Sequence, residues 1–148
     1  NTTMAEMKNN LPETDIQRIN TECEKSYVSK RHDIPTKRFC QTLDLKNSPE
    51  LIAEYVKRHS EGEIWKEIPA GIKEVGILEM EIYLSDTKLF MIVETPLDFE
   101  WDVAFEKLAV LPRQTEWEEQ MSVFQLSKPD ASSTEKWKMM KRIFHLYD

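Results

Sequence analysis

The chain has 148 residues, a formal net charge of −7, a sequence pI near 5.1, three glycines and two cysteines. One domain of this length can bury a self-sufficient core. Its three glycines, Gly62, Gly71 and Gly76, cannot build the glycine-rich phosphate loops of Rossmann or P-loop proteins. The acidic balance also excludes a general nucleic-acid or membrane-surface binder, which needs a basic face. No apolar run approaches the ~18 residues of a membrane span. Leu, Ile, Val and Phe supply 5 of residues 1–37 but 31 of residues 38–148, which divides the chain. Residues 1–37 read as an extension, partly flexible or carrying one docked helix between Glu13 and Tyr27, because so few core-formers do not offset ordering entropy. Residues 38–148 read as the folded domain.

In the domain, residues 38–45 alternate loosely, with Phe39, Leu43 and Leu45 to one side, as a strand requires. Ser48-Pro49-Glu50 predicts a helix start: a serine N-cap, proline at the first helical position and an acid in the first turn. Leu51, Ile52, Tyr55, Val56 and His59 follow on one face. Gly62 interrupts. A second helix is expected over 63–75, kinked by Pro69 and ended by Gly76. Residues 77–84 alternate strictly, a turn follows at 85–87, and 88–95 is a dense apolar strand, so the two form a hairpin. A further helix is expected from Pro96 and Asp98, with Phe99, Val103 and Leu108 inward. Leu111-Pro112 breaks it, and a helix over 116–124 carries Trp117, Met121 and Phe124. Residues 127–133 read as a loop. Residues 139–147 read as a last strand.

The order is β-α-β-β-α-β with split helices, the α+β ferredoxin-like pattern: a four-stranded antiparallel sheet with helices on one face. The bare face needs a cover, so a homodimer packed sheet to sheet is expected. Cys23 and Cys40 form no CxxC and read as free thiols. The spacing of His32, His59 and His145 suits no metal site. His145 reads as a structural strand residue and His32 as exposed. No leader is visible at the start, so a cytoplasmic protein is expected; a trimmed periplasmic form is the alternative.

One constellation could carry chemistry. Tyr55 and His59, at i and i+4, lie one above the other on a helix face; Trp65 follows six residues on, and Trp117 lies on a late helix. Histidine gives and takes protons near neutral pH, a phenol bonds substrate hydroxyls, and an indole stacks on a sugar's apolar face. A histidine on an apolar helix face is more often structural, and both tryptophans are at core spacing, so the pattern alone leaves both readings open.

The stretch Glu54-Tyr55-Val56-Lys57-Arg58-His59, then Trp65, then Glu79-Met80-Glu81-Ile82-Tyr83-Leu84, resembles the L-rhamnose mutarotase family. So do Glu116-Trp117 with Met121 a turn later, and the ending Ile143-Phe144-His145-Leu146. The resemblance spans residues 38–148. It implies a dimeric α/β barrel and cofactor-independent interconversion of the α and β anomers of a deoxy-sugar such as L-rhamnose. On that resemblance His59 is the catalytic proton donor. Tyr55, Trp117, Trp65, Met80 and Glu118 would bind the substrate, a monosaccharide. The chain departs from the family pattern at four places. Ser60–Ile64 is longer, Lys66 replaces a proline, Met80 stands where a pocket tyrosine is usual, and Glu118 stands where a second tryptophan is usual. Two alternatives follow: a non-catalytic sugar-binding or regulatory dimer on the same fold, and a small monooxygenase-like dimeric-barrel enzyme.

Overall fold

The computed structural model describes residues 26–128 and 131–147. By its contacts the chain divides into two units, Asn1–Pro35 and Thr36–Asp148. Residues 26–35 contain no helix or strand. The helix expected from Glu13 lies outside the described residues, apart from Ser26 and Tyr27, which are not helical.

The second unit begins with β1 (Thr36–Asp44), followed by α1 (Pro49–Arg58) and α2 (Glu67–Glu74). The hairpin β2 (Glu79–Ser85) and β3 (Lys88–Pro96) comes next, then α3 (Trp101–Ala109) and α4 (Gln114–Ser122), a short α5 (Ser133–Lys136) and β4 (Lys138–Met139). The strands order β2-β3-β1-β4 and every pairing is antiparallel. This is the ferredoxin-like α+β fold that the element order predicts. Register fixes the faces: Phe39, Gln41 and Leu43 oppose Val93, Met91 and Leu89. Met80 and Ile82 join them from β2. That face packs on the helices. Cys40, Thr42, Phe90 and Ile92 alternate onto the opposite face.

Local chemistry explains the boundaries. The Ser48 Oγ accepts from the Leu51 amide at 3.4 Å, with Pro49 at the first helical position. Gly76, at φ +98°, closes α2. Its amide donates to the Lys73 carbonyl and that of Ile77 to the Ile72 carbonyl, the paired bonds of a Schellman stop. The second helix is shorter than the spacing suggests. It starts at Glu67, so Pro69 sits in a first turn whose amides have no intrahelical partner anyway, and no kink arises. Gly71 faces Gln114; a Cβ there would meet Nε2 of Gln114 at 2.5 Å and displace that side chain. The Gln114 amide donates to the carbonyls of Glu67 and Ile68 at 3.3 and 3.4 Å.

Several expectations are corrected. α3 opens at Trp101 rather than near Pro96, which turns Trp101, Ala104, Phe105 and Leu108 inward and leaves Val103 62 % exposed. Val56 likewise lies at the rim of α1, half exposed. The last strand is two residues, not nine: β4 pairs only with Gln41 and Thr42. Beyond the bond from the Met140 amide to the Cys40 carbonyl, residues 140–147 hold no regular structure and are exposed, His145 included. His32 is half-buried instead of exposed. Cys40 is a free, half-buried thiol; Cys23 lies outside the described residues. Among the described residues no helix is long and apolar enough to cross a membrane.

Candidate active site

Between the helices and the inner face of the sheet lies a cavity of about 410 Å³, within the ~300–1,000 Å³ usual for small-molecule sites. Its wall is mostly apolar: Ile64, Ile68 and Ile72 around α2, Met80 and Ile82 from β2, Met91 from β3, Phe105 and Leu108 from α3. Polar groups enter from Tyr55, His59, Gln41, Gln114, Glu118 and Gln125. Five of the six expected site residues, Tyr55, His59, Met80, Trp117 and Glu118, line this one cavity. Trp65 does not. It stands behind Trp117, with ring centroids 5.5 Å apart.

His59 is the C-cap of α1. Its Nδ1 lies 2.8 Å from the Tyr55 carbonyl oxygen. A carbonyl only accepts, so Nδ1 carries the hydrogen and Nε2 is the atom left for proton transfer. The ring is held on two more sides, by the Tyr55 ring at 4.4 Å and the Trp117 ring edge-on at 5.1 Å. Burial lowers the His59 pKa from its usual 6.5, and the bond to Tyr55 offsets part of this. Burial raises the Tyr55 phenol well above its ordinary range; the neighbouring Gln125 amide lowers it somewhat, and the Glu118 carboxylate raises it further. Tyr55 therefore stays a neutral hydroxyl, able to donate and accept.

The supporting frame is aromatic and cationic. The Arg113 guanidinium lies 3.5 Å over the Trp65 ring, a cation–π contact, and 3.7 Å from Glu116. Arg113 adopts a left-handed backbone, φ +62°. Arg58 ties α1 to α4 through Gln120 at 2.8 Å and is held by Glu54 of its own helix at 3.0 Å. Lys136 is nearly fully buried, and its ammonium bonds the Glu118 carboxylate and carbonyl oxygen, each at 3.2 Å.

Sequence reading missed Gln41, Gln114, Gln125, Lys136 and Trp137. Gln41 was legible as the polar residue on the inward register of β1. Ser132 and Glu135, a capping box that opens α5, announced the helix that brings in Lys136 and Trp137. Gln125 carries no comparable signal. Its Oε1 is buried with no partner among the described residues. Glu67, the acidic residue at the start of α2, does not line the cavity. Among the described residues no cluster of three or more His, Cys, Asp or Glu could hold a metal ion.

The lowered His59 pKa makes a stability prediction. The unfolded chain binds the proton near 6.5 and the folded chain only at lower pH. The contribution of neutral, buried His59 is therefore whole above 6.5 and is lost as pH falls through the folded-state value. Urea midpoints measured from pH 8 to pH 5 should decline more steeply below 6.5 for the wild type than for His59→Gln. Parallel curves would contradict the burial argument.

A cavity under a half-open antiparallel sheet, with a fixed histidine, a phenol and an indole, defines an α+β protein built to handle a small polar ligand. Comparison with known proteins narrows this. The L-rhamnose mutarotase family model matches residues 38–146. An L-fucose mutarotase of Xanthomonas campestris pv. campestris is 36% identical over 109 residues, covering 74% of this chain and 87% of that protein. An L-rhamnose mutarotase of Acidiphilium cryptum is 36% identical over 100 residues, covering 66% and 88%. The crystal structure of an L-rhamnose mutarotase from Formosa agariphila shares the fold, with a TM-score of 0.56 at 18% identity over 74% of this chain and 98% of that one. The chain belongs to the L-rhamnose mutarotase family.

Proposed function

We propose that this protein interconverts the α and β anomers of a deoxy-sugar, with His59 as a proton-transfer group acting through Nε2. The observation that carries the reading is the His59 ring, fixed by the 2.8 Å bond to the Tyr55 carbonyl at the wall of a cavity it shares with Trp117. Mutarotation breaks the bond between the anomeric carbon and the ring oxygen. It needs one proton delivered to the ring oxygen and one taken from the anomeric hydroxyl. Positioned acid–base groups suffice for this, and no cofactor enters the scheme. Tyr55 and Gln125 present hydroxyl-binding groups, and the unpartnered Gln125 Oε1 accepts a sugar hydroxyl. Trp117 offers a flat wall to the apolar face of the ring, and Met80 with the isoleucines accommodates a methyl group. Relatives named for L-fucose and for L-rhamnose support a 6-deoxyhexose as the substrate class. Saturation-transfer NMR between anomeric protons, with L-fucose and L-rhamnose in parallel, tests this; no acceleration on either sugar overturns it.

The active form in this proposal is a homodimer. The outer sheet face carries Phe90, Ile92 and Cys40, and the stretch after β4 exposes Ile143, Phe144, Leu146 and Tyr147, Ile143 to 93 %. Apolar surface gathered in this way marks an interaction site. Light scattering should give twice the 17.5 kDa chain mass. Exchanging Phe144 and Leu146 together for serine should shift the mass toward the monomer. A monomeric wild type would refute the dimer.

A further inference from the structure

The reaction proposed above needs a partner for His59, and that partner can be sought on the cavity wall. Two acidic residues line it, Glu79 and Glu118, along with Lys73 and Tyr55. Glu79 belongs to the edge strand β2. Glu118 follows Trp117 on α4, and the Trp117 ring touches His59. Glu118 is also close enough to the Tyr55 hydroxyl for its charge to act on it. Tyr55 and His59 are themselves stacked at 4.4 Å. Glu118 thus belongs to the His59 end of the cavity.

Its carboxylate is held there by an unusual device. The side chain of Lys136 is only 2 % exposed, and its Nζ lies 3.2 Å from both Glu118 Oε2 and the Glu118 carbonyl oxygen. Burying an ammonium is costly unless it is paired. Lys136 has spent that cost on one residue, which fixes both the backbone and the charged tip of Glu118. The second carboxylate oxygen, Oε1, has no partner among the described residues. The pair fixes a residue that lines the cavity while leaving the Glu118 side chain 38 % exposed.

We infer that Glu118, positioned by Lys136, is the second proton-transfer group, accepting the anomeric hydroxyl proton while His59 protonates the ring oxygen. In the opening direction the anomeric O–H bond breaks and its proton goes to the Glu118 carboxylate. The freed electron pair forms the aldehyde C=O, and the bond from the anomeric carbon to the ring oxygen breaks. The electrons of that bond take the proton held on His59 Nε2. One proton leaves the sugar and one enters it. Rotation of the aldehyde and closure on its other face return both protons, so the pair holds one proton in every productive state.

The inference rests on the mutarotase reading, and the experiment separates the two. Anomer exchange is measured by saturation transfer on the full chain with L-fucose and L-rhamnose, for wild type, His59→Gln, Glu118→Gln and Glu118→Asp. Glu118→Gln keeps the size and the bond to Lys136 but cannot take a proton. It should slow exchange about 10²–10⁴-fold and bind the sugar about as well as wild type in a titration, so the loss falls on kcat rather than KM. Glu118→Asp should recover part of the rate. Should Glu118→Gln fail to fold, the exchanged pair Glu118→Lys with Lys136→Glu preserves the ion pair but moves the carboxylate off the lining, and it should be folded and slow. Wild-type rates in Glu118→Gln or in the exchanged pair, with His59→Gln slow, overturn the role of Glu118 alone. A wild type inert toward both sugars overturns the mutarotase reading and this inference together.

Discussion

Replacing His59 with glutamine should slow anomer exchange by about 10²–10⁴-fold, the usual contribution of one positioned acid–base group. The side chain keeps a donor that can reach the Tyr55 carbonyl, which His59 now engages at 2.8 Å, so the end of α1 should hold. What is lost is a ring nitrogen, Nε2, that can take up and release a proton during the reaction. Sugar binding should change little, because Trp117, Gln125 and Glu118 still line the cavity. The loss should therefore fall on kcat rather than on KM, the pattern of an interaction made only in the transition state. Saturation transfer over a range of sugar concentrations separates the two constants. A variant that keeps the wild-type kcat removes His59 from the chemistry, and one that changes only KM makes it a binding residue.

The sequence was most informative where a local rule acts alone. Ser48 and Pro49 announce α1, Gly76 announces the end of α2, and the alternation of 77–84 followed by the dense apolar run at 88–95 announces the hairpin. It was least informative where packing decides. Nothing local separates a helix starting at Pro96 from one starting at Trp101; the choice is made by Trp101 stacking on Phe105 at 4.2 Å and meeting Phe39 at 4.7 Å. The apolar run at 143–147 satisfies strand spacing, yet β4 stops at Met139. Strand propensity needs a neighbour to pair with, and in the single chain the run pairs with none. At the site, the i, i+4 rule placed Tyr55 with His59, because both are on one helix. It could not place Trp65 behind Trp117, nor bring Lys136 to Glu118 from eighteen residues away, since such contacts depend on tertiary approach. The proposed function draws on both kinds of residue, and the second kind gives this chain its own pocket.

Trp117→Ala should cost about 3–5 kcal/mol, the range for deleting a buried large aromatic. Trp117 is buried, and its ring joins two layers. The His59 ring lies 5.1 Å and the Trp65 ring 5.5 Å from it, with Arg113 over the Trp65 ring. Deletion removes the apolar area and leaves a void that His59 and Trp65 cannot both fill, because His59 is tied to Tyr55 and Trp65 to Arg113. Domains are stable by only ~5–15 kcal/mol, so the variant should unfold at a much lower urea concentration with an unchanged slope. Trp117→Phe keeps a ring at the centre of the stack and should cost clearly less. The two variants divide the roles of Trp117. If the indole serves packing alone, Trp117→Phe should exchange anomers nearly as fast as wild type. If it also forms the wall for the sugar, the phenylalanine variant should be stable yet bind sugar more weakly. A Trp117→Ala cost below about 1 kcal/mol would mean that the ring is not packed as these distances require, since a fully buried side chain cannot be removed so cheaply.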